Sequence, residues 1–196
     1  MPIRPGTDHD DPRCVRSRQR AIDAALELLR EHGVRGVTVE AVAAHSGIAK
    51  TTLYRQFADR DELFFAAIES MKSDEEIPVA NGVVADVERW LLVFARRLRD
   101  DEFAPLVPAV IEAGERSDRG RQLAAEFGQR RRAGLARRLR VAVADGELPH
   151  DLDVDVAVSQ LIGPLFYRRF LARQPIPALF VRQLVRSTLA SAASSC

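Results

Sequence analysis

The sequence predicts an all-α protein, and three observations lead there. Apolar residues recur at spacings of three and four from about residue 16 onward. The stretches marked this way end at glycine, proline or Asp-Gly. The one alternating run, Leu152, Val154, Val156 and Val158, has no partner strand and reads as a helix start.

Residues 1–15 contain prolines and aspartates without periodicity and read as a flexible arm. The first helix is expected over about 16–32, with Ile22, Ala25, Leu26 and Leu29 on one face and His32-Gly33 as its stop. Two short segments follow, 39–45 and 50–57, joined by a turn containing Ser46-Gly47. Asp59, with Glu62 three residues on, forms a capping box. It opens a longer helix whose inner stripe is Leu63, Phe64, Ala67, Ile68 and Met71.

Residues 77–82 break the pattern as a loop. Helical spacing resumes through Val83, Val87, Trp90, Leu91, Phe94 and Leu98. A shorter element spans 105–113, in which Pro108 is awkward. A long helix over 118–144 is closed by Asp145-Gly146, and two more are expected over about 153–172 and 178–192. The implied organisation is the arm 1–15, an N-terminal three-helix domain over 16–76 with a helix-turn-helix at about 38–57, and a C-terminal helical bundle over 77–196.

The chain has 196 residues, of which 46% are hydrophobic and 29% charged, values of a folded globular protein. No apolar run is long enough for a membrane span and the N-terminus lacks an apolar signal core, so a cytoplasmic protein without membrane association is expected. Cys14 and Cys196 cannot form a disulfide framework, and the four histidines lack metal-ligand spacing. There is no Gly-rich phosphate loop, nucleophile elbow or HExxH. No catalytic, metal or cofactor site is therefore expected, and the protein does not read as an enzyme.

The informative segment is 36–57. Val39, Val42, Ala43, Ile48, Leu53 and Phe57 supply a small core, and a glycine turn joins its two short helices. Lys50, Thr51, Thr52, Tyr54, Arg55 and Gln56 are left for the outward surface of the second helix. Cations, hydroxyls and an amide are the groups that reach phosphates and base edges in a major groove. For Tyr54, half-buried packing is the competing reading. Arg16, Arg18 and Arg20 read equally as phosphate contacts or as an exposed helix start. The formal charge of +1 decides nothing. The stretch 116–140, with nine arginines against two acids, reads as a solvated helix face whose arginines pair with acids elsewhere, or as a second polyanion surface or an acidic ligand site.

The run from Gly47 through Leu53-Tyr54 and Phe57 to Asp59-Arg60-Asp61-Glu62-Leu63 resembles the DNA-binding signature of TetR-type (tetracycline-repressor-like) transcriptional regulators. The resemblance covers about 16–70, with a shorter match at 161–170. It implies an all-α homodimer that binds double-stranded, palindromic operator DNA as a regulator and is released by an unidentified, largely apolar small-molecule effector. Thr38 and Tyr54 match phosphate-contacting positions, Lys50, Thr51 and Thr52 groove-facing ones, and Arg55 and Gln56 further base or phosphate contacts. Arg60 stands where the family usually has lysine, beside the DNA backbone.

Phe64, Ile68, Trp90, Phe94, Phe127 and Tyr167 are the candidate lining of an apolar ligand cavity, with a packed core as the alternative. Leu161, Leu165, Phe180, Leu184 and Leu189 on the last two helices exceed what one bundle's inner face needs and are assigned to a dimer interface. The competing function is a helical protein-interaction module whose helix-turn-helix no longer binds DNA specifically.

Overall fold

The computed structural model describes residues 12–71, 77–99 and 104–193, and every regular element among them is helical. They are α1 (Pro12–Gly36), α2 (Val39–Ser46), α3 (Lys50–Gln56), α4 (Arg60–Ser70), α5 (Val83–Arg97), α6 (Leu106–Arg116), α7 (Asp118–Ala144), α8 (Val154–Phe166), a π turn (Tyr167–Leu171) and α9 (Ala178–Ala193). The arm expected over 1–15 is helical from Pro12; the rest of it lies outside the described residues. Among the described residues no helix is long and apolar enough to cross a membrane.

The chain divides into two compact units, Met1–Lys72 with Pro105–Phe127, and Ser73–Ala104 with Gly128–Cys196. The division differs from the expected cut at 76/77, because α6 and the start of α7 pack with the N-terminal helices. Phe127 lies 6.1 Å from Phe65 on α4. Arg116 and Arg119 pair with Asp61 and Glu62 in the first turn of α4 at 3.6 and 3.8 Å.

In the first unit, α1 buries Ala21, Ala24, Ala25, Leu28 and Leu29. This stripe is turned slightly from the expected one; its three alanines allow neighbouring helices to approach. The helical backbone is broken at Gly33, where the sequence placed a stop, and one more turn reaches Gly36. Thr38 caps α2, its Oγ1 accepting from the Ala41 N–H at 3.1 Å. Gly47 ends α2 in the left-handed conformation (φ 68°), which a glycine adopts without steric cost. Val39, Val42, Ile48, Leu53 and Phe57 are buried as expected, whereas Ala43 is only half-buried. Asp59 caps α4 through the Glu62 N–H, while the Glu62 carboxylate accepts from the Ala58 N–H, one residue outside the usual capping box.

Pro108 sits third in α6, where a helix has no intrahelical use for the N–H that proline lacks. In the second unit, α5 packs on α8 and α9, and α8 on α9. Gly82 at the start of α5 has no side chain to cap it. One acid does this work instead, and a second holds the loop before the helix. Glu147 accepts from the Val83 N–H at 2.7 Å, and Asp86 accepts from the N–H groups of Ala80 and Asn81 at 3.2 and 3.3 Å. Arg138 of α7 reaches both acids at 3.0 Å, and its side chain and that of Asp86 are fully buried. Burial pushes the Asp86 pKa up, but the Ala80 and Asn81 N–H groups and the Arg138 guanidinium together hold it below the ordinary carboxylate value.

Asp153 caps α8 by accepting from the Asp155 and Val156 N–H groups, so the alternating run is indeed a helix start. The helix carries Pro164, which deprives the turn before it of one donor, and widens into the π turn just beyond.

The dimer assignment needs correction. Leu161 and Leu165 are 0% exposed and Leu189 is 3% exposed within one chain, so none can reach a second copy. They fill this chain's own core with Val87, Leu91, Val181 and Val185. Phe180 and Leu184 remain half-buried. The outer faces of α8 and α9 instead expose Val156 and Leu179.

The buried carboxylate makes a prediction. Asp86→Asn leaves Arg138 short of a charged partner and is expected to cost ~3–5 kcal/mol at neutral pH. A carboxyl with a depressed folded-state pKa stabilises above about pH 4 and loses that contribution as pH falls through its folded value. Urea unfolding should therefore show the gap between variant and wild type narrowing at pH ~3. An unchanged gap would remove the charge from the explanation.

Candidate nucleic-acid interface

A helix as short as α3, seven residues, is not stable alone, so its neighbours must hold it. Its buried anchor is Leu53, with Phe57 immediately beyond its end. Arg18 of α1 donates to the Gln56 carbonyl at 2.8 Å and lays its guanidinium 4.3 Å above the Phe57 ring. Arg20 donates to the Ser46 carbonyl at the end of α2. His45 and Glu27 join α2 to α1 at 2.6 Å. Of the three α1 arginines that the sequence left undecided, two therefore brace the helix-turn-helix, and Arg16 is exposed.

The outward surface of α3 carries Lys50, Thr51, Tyr54 and Arg55, all exposed, with Thr52 half-buried. Tyr54 is 53% exposed, which decides against a packing role. Lys50 and Tyr54 are four residues apart and share a face, as do Thr51 and Arg55 beside them. The result is a strip of two cations and two hydroxyls on a helix that fits a major groove.

Gln56 is a correction. Expected on the outward strip, it is 7% exposed and turns toward α1, its Nε2 donating to Ser17 Oγ. Its Oε1 is buried without a hydrogen-bond partner. The signal was in the spacing: Gln56 stands three residues after Leu53 and shares its inner face. Arg60 is likewise engaged within the fold. Its Nε and Nη2 donate to the carbonyls of Val37 and Val34 at 2.7 and 2.8 Å, which ties the start of α4 to the connection between α1 and α2. Thr38 keeps a hydroxyl proton to donate while its oxygen caps α2.

One residue went unnoticed in the sequence. Glu40, exposed in the first turn of α2, sits 3.4 Å from Lys50. Its own backbone N–H, and after that Lys50, hold its pKa below the usual value. It places a negative charge at the edge of a surface whose other charges are positive.

The aromatic residues assigned to a ligand cavity divide between the units. Phe64, Ile68 and Phe127 are buried in the first. Trp90 and Phe94, stacked at 5.4 Å, belong to the second and continue through Phe166 to Phe170 at 5.8 and 5.9 Å. Tyr167 is 58% exposed. Phe103 lies outside the described residues.

Residues 21–67 match the family model described as bacterial regulatory proteins of the tetR family, and 77–188 match the tetracyclin repressor-like C-terminal domain. An HTH-type transcriptional regulator of Mycobacterium tuberculosis (strain ATCC 25618 / H37Rv) is 30% identical over 82% of this chain and 79% of its own length. YdeS of Bacillus subtilis (strain 168), also an HTH-type transcriptional regulator, is 27% identical over 89% of this chain and 88% of its own. The crystal structure of the TetR family transcription regulator SCO0332 superposes with a TM-score of 0.77 at 28% identity, covering 89% of this chain and 97% of that one. With a helix-turn-helix that presents cations and hydroxyls outward and with both matched regions in order, this chain belongs to the TetR family of DNA-binding bacterial transcriptional regulators.

Proposed function

We propose that this regulator is a homodimeric cytoplasmic repressor that acts by binding rather than catalysis and is released from a palindromic operator by a small, largely apolar effector. The exposed strip Lys50–Thr51–Tyr54–Arg55 carries this reading. One seven-residue helix reads too few base pairs for specificity, so two dimer-related copies reach successive major grooves about one turn apart, ~34–36 Å. Lys50, Thr51 and Arg55 take base edges or nearby phosphates, and Tyr54 and Thr38 take phosphates. Thr52 supports the strip from its half-buried position. Arg60 adds a phosphate contact only with the N–H groups left over from Val34 and Val37.

The dimer uses the outer faces of α8 and α9, where Val156 and Leu179 are exposed and Phe180 and Leu184 half-buried. The effector lies against the half-buried row Trp90–Phe94–Phe166–Phe170. By linkage, it and the operator weaken each other by the same factor.

Selection of genomic fragments on the purified protein, followed by footprinting, tests the reading. A two-fold symmetric footprint is expected, with affinity falling ~10³–10⁵-fold between 50 and 200 mM salt for ~6–10 neutralised phosphates. A single half-site bound by a monomer refutes the dimer on a palindrome, and no selected site refutes the reading and leaves the protein-interaction module.

Four substitutions separate the roles on α3 and beside it. Tyr54→Phe should weaken operator and random DNA alike, whereas Lys50→Ala should cost ~1–3 kcal/mol on the operator and narrow its preference. Glu40→Gln should tighten both, because it removes the acid at the edge of the strip. Gln56→Ala is expected to lower stability by ~1–2 kcal/mol and leave base preference untouched. A changed base preference for Gln56→Ala would return that residue to the groove.

Leu179→Arg places a charge in the proposed dimer contact, where it has no partner. Sedimentation should show dimers giving way to monomers with helicity retained. An unchanged dimer moves the interface elsewhere.

A further inference from the structure

We propose that the second unit holds a binding site for a small dianion, a ligand bearing a phosphate or a pair of carboxylates. The site is an open concavity of about 340 Å³ lined by Arg99, Arg169, Arg173, Gln174 and Pro175. It lies beside the end of α5, the π turn and the loop that follows. Among the described residues three arginines line it and no acid does.

Arginines at a helix C-terminus have an ordinary explanation, since they complement the helix dipole. Arg169 fits it in part: its Nε donates to the Leu98 carbonyl at 2.7 Å, and its guanidinium packs 5.4 Å from the Phe170 ring centroid. That bond fixes the fork and leaves both Nη groups for another acceptor. Arg99 and Arg173 stand two residues beyond the ends of α5 and of the π turn and are not fixed by such a bond. Among the described residues neither guanidinium makes a hydrogen bond or ion pair.

Arg173 also occupies an unusual backbone position. The π turn ends with the Ala172 N–H on the Tyr167 carbonyl and the Gln174 N–H on the Arg168 carbonyl, both at 2.8 Å. This closure puts Arg173 at φ 53°, the one positive φ of a non-glycine among the described residues. Glycine suits that conformation better, so the arginine is there at a conformational cost. π turns of this kind recur at functional sites. Three guanidinium groups around one concavity repel one another. A dianion removes that repulsion and accepts their N–H groups in pairs, and the Gln174 amide adds a neutral donor.

Calorimetric titration of the full chain at constant ionic strength tests this, with inorganic phosphate, succinate and acetate as probes. Saturable binding of phosphate or succinate, with acetate weaker, is expected. The tighter of the two dianions says which chemistry the natural ligand carries. Arg99→Gln and Arg173→Gly should each weaken it about tenfold or more, while Arg140→Gln, on α7, changes nothing. Arg173→Gly should not lower the melting temperature, because glycine relieves the backbone. Arg99→Gln, at an exposed side chain, keeps the test independent of folding.

Undiminished affinity in the Arg99→Gln/Arg173→Gly double variant overturns the site, as does no saturation by either dianion. Asp100, Asp101 and Glu102 follow Arg99 in the sequence and lie outside the described residues. Binding that appears only after those three become amides also overturns the proposal, because the chain's own acids would then fill the site.

Discussion

The first unit depends on meeting the free carbonyls at the ends of short helices. α2 and α3 have eight and seven residues, so a large share of their C=O groups has no partner within the helix. Arginines from elsewhere meet several of them. Arg18 takes the carbonyl that ends α3, Arg20 the one that ends α2, and Arg60 two at the end of α1. Each is a charge-assisted bond, and at the ends of α2 and α3 the helix dipole also favours a cation. A planar fork reaches two carbonyls from one preorganised position, as Arg60 does, and loses less freedom per bond than the ammonium of lysine. The recognition helix is thereby held by groups that do not face the groove, and its outward side chains remain available for a partner.

The same chemistry explains the arginine-rich composition better than any function of the basic stretch as a whole. Of the 29 basic residues only Lys50 and Lys72 are lysines. Within 116–140, Arg116 and Arg119 pair with the first turn of α4, while Arg138 is the centre of a buried cluster. A run that reads as one positive face is in fact divided among three tasks: holding α4, securing the start of α5 through Asp86 and Glu147, and facing solvent. A buried ion pair gives little net stability but punishes the loss of either partner. Arg138 therefore fixes where α7 meets the start of α5 more than it strengthens the fold.

For DNA recognition, the division between bracing and contact is the important consequence. Sequence alone assigned Lys50, Arg55 and Arg60 to DNA and left Arg18 and Arg20 undecided. The structure separates Arg18, Arg20 and Arg60, which bond to carbonyls, from Lys50 and Arg55 on the exposed strip. Glu40 adds an opposing charge beside Lys50. Such an acid lowers affinity for any polyanion, and so it trims non-specific binding along with specific binding.

The sequence by itself determined the helical class, the helix-turn-helix with its glycine turn, the limits of α7 and the start of α8. These follow from local physics: apolar period, capping by Asp59 and Asp153, and the left-handed freedom of Gly47. Only the tertiary structure decided that Gln56 faces α1, that Arg60 bonds to Val34 and Val37, and that Pro105–Phe127 belongs with the N-terminal helices. It also turned Leu161, Leu165 and Leu189 into this chain's own core. Periodicity shows that a helix has an apolar face, but not which neighbour covers it. A long arginine or glutamine has several acceptors within reach, and its choice is made by residues distant in sequence that only folding brings close.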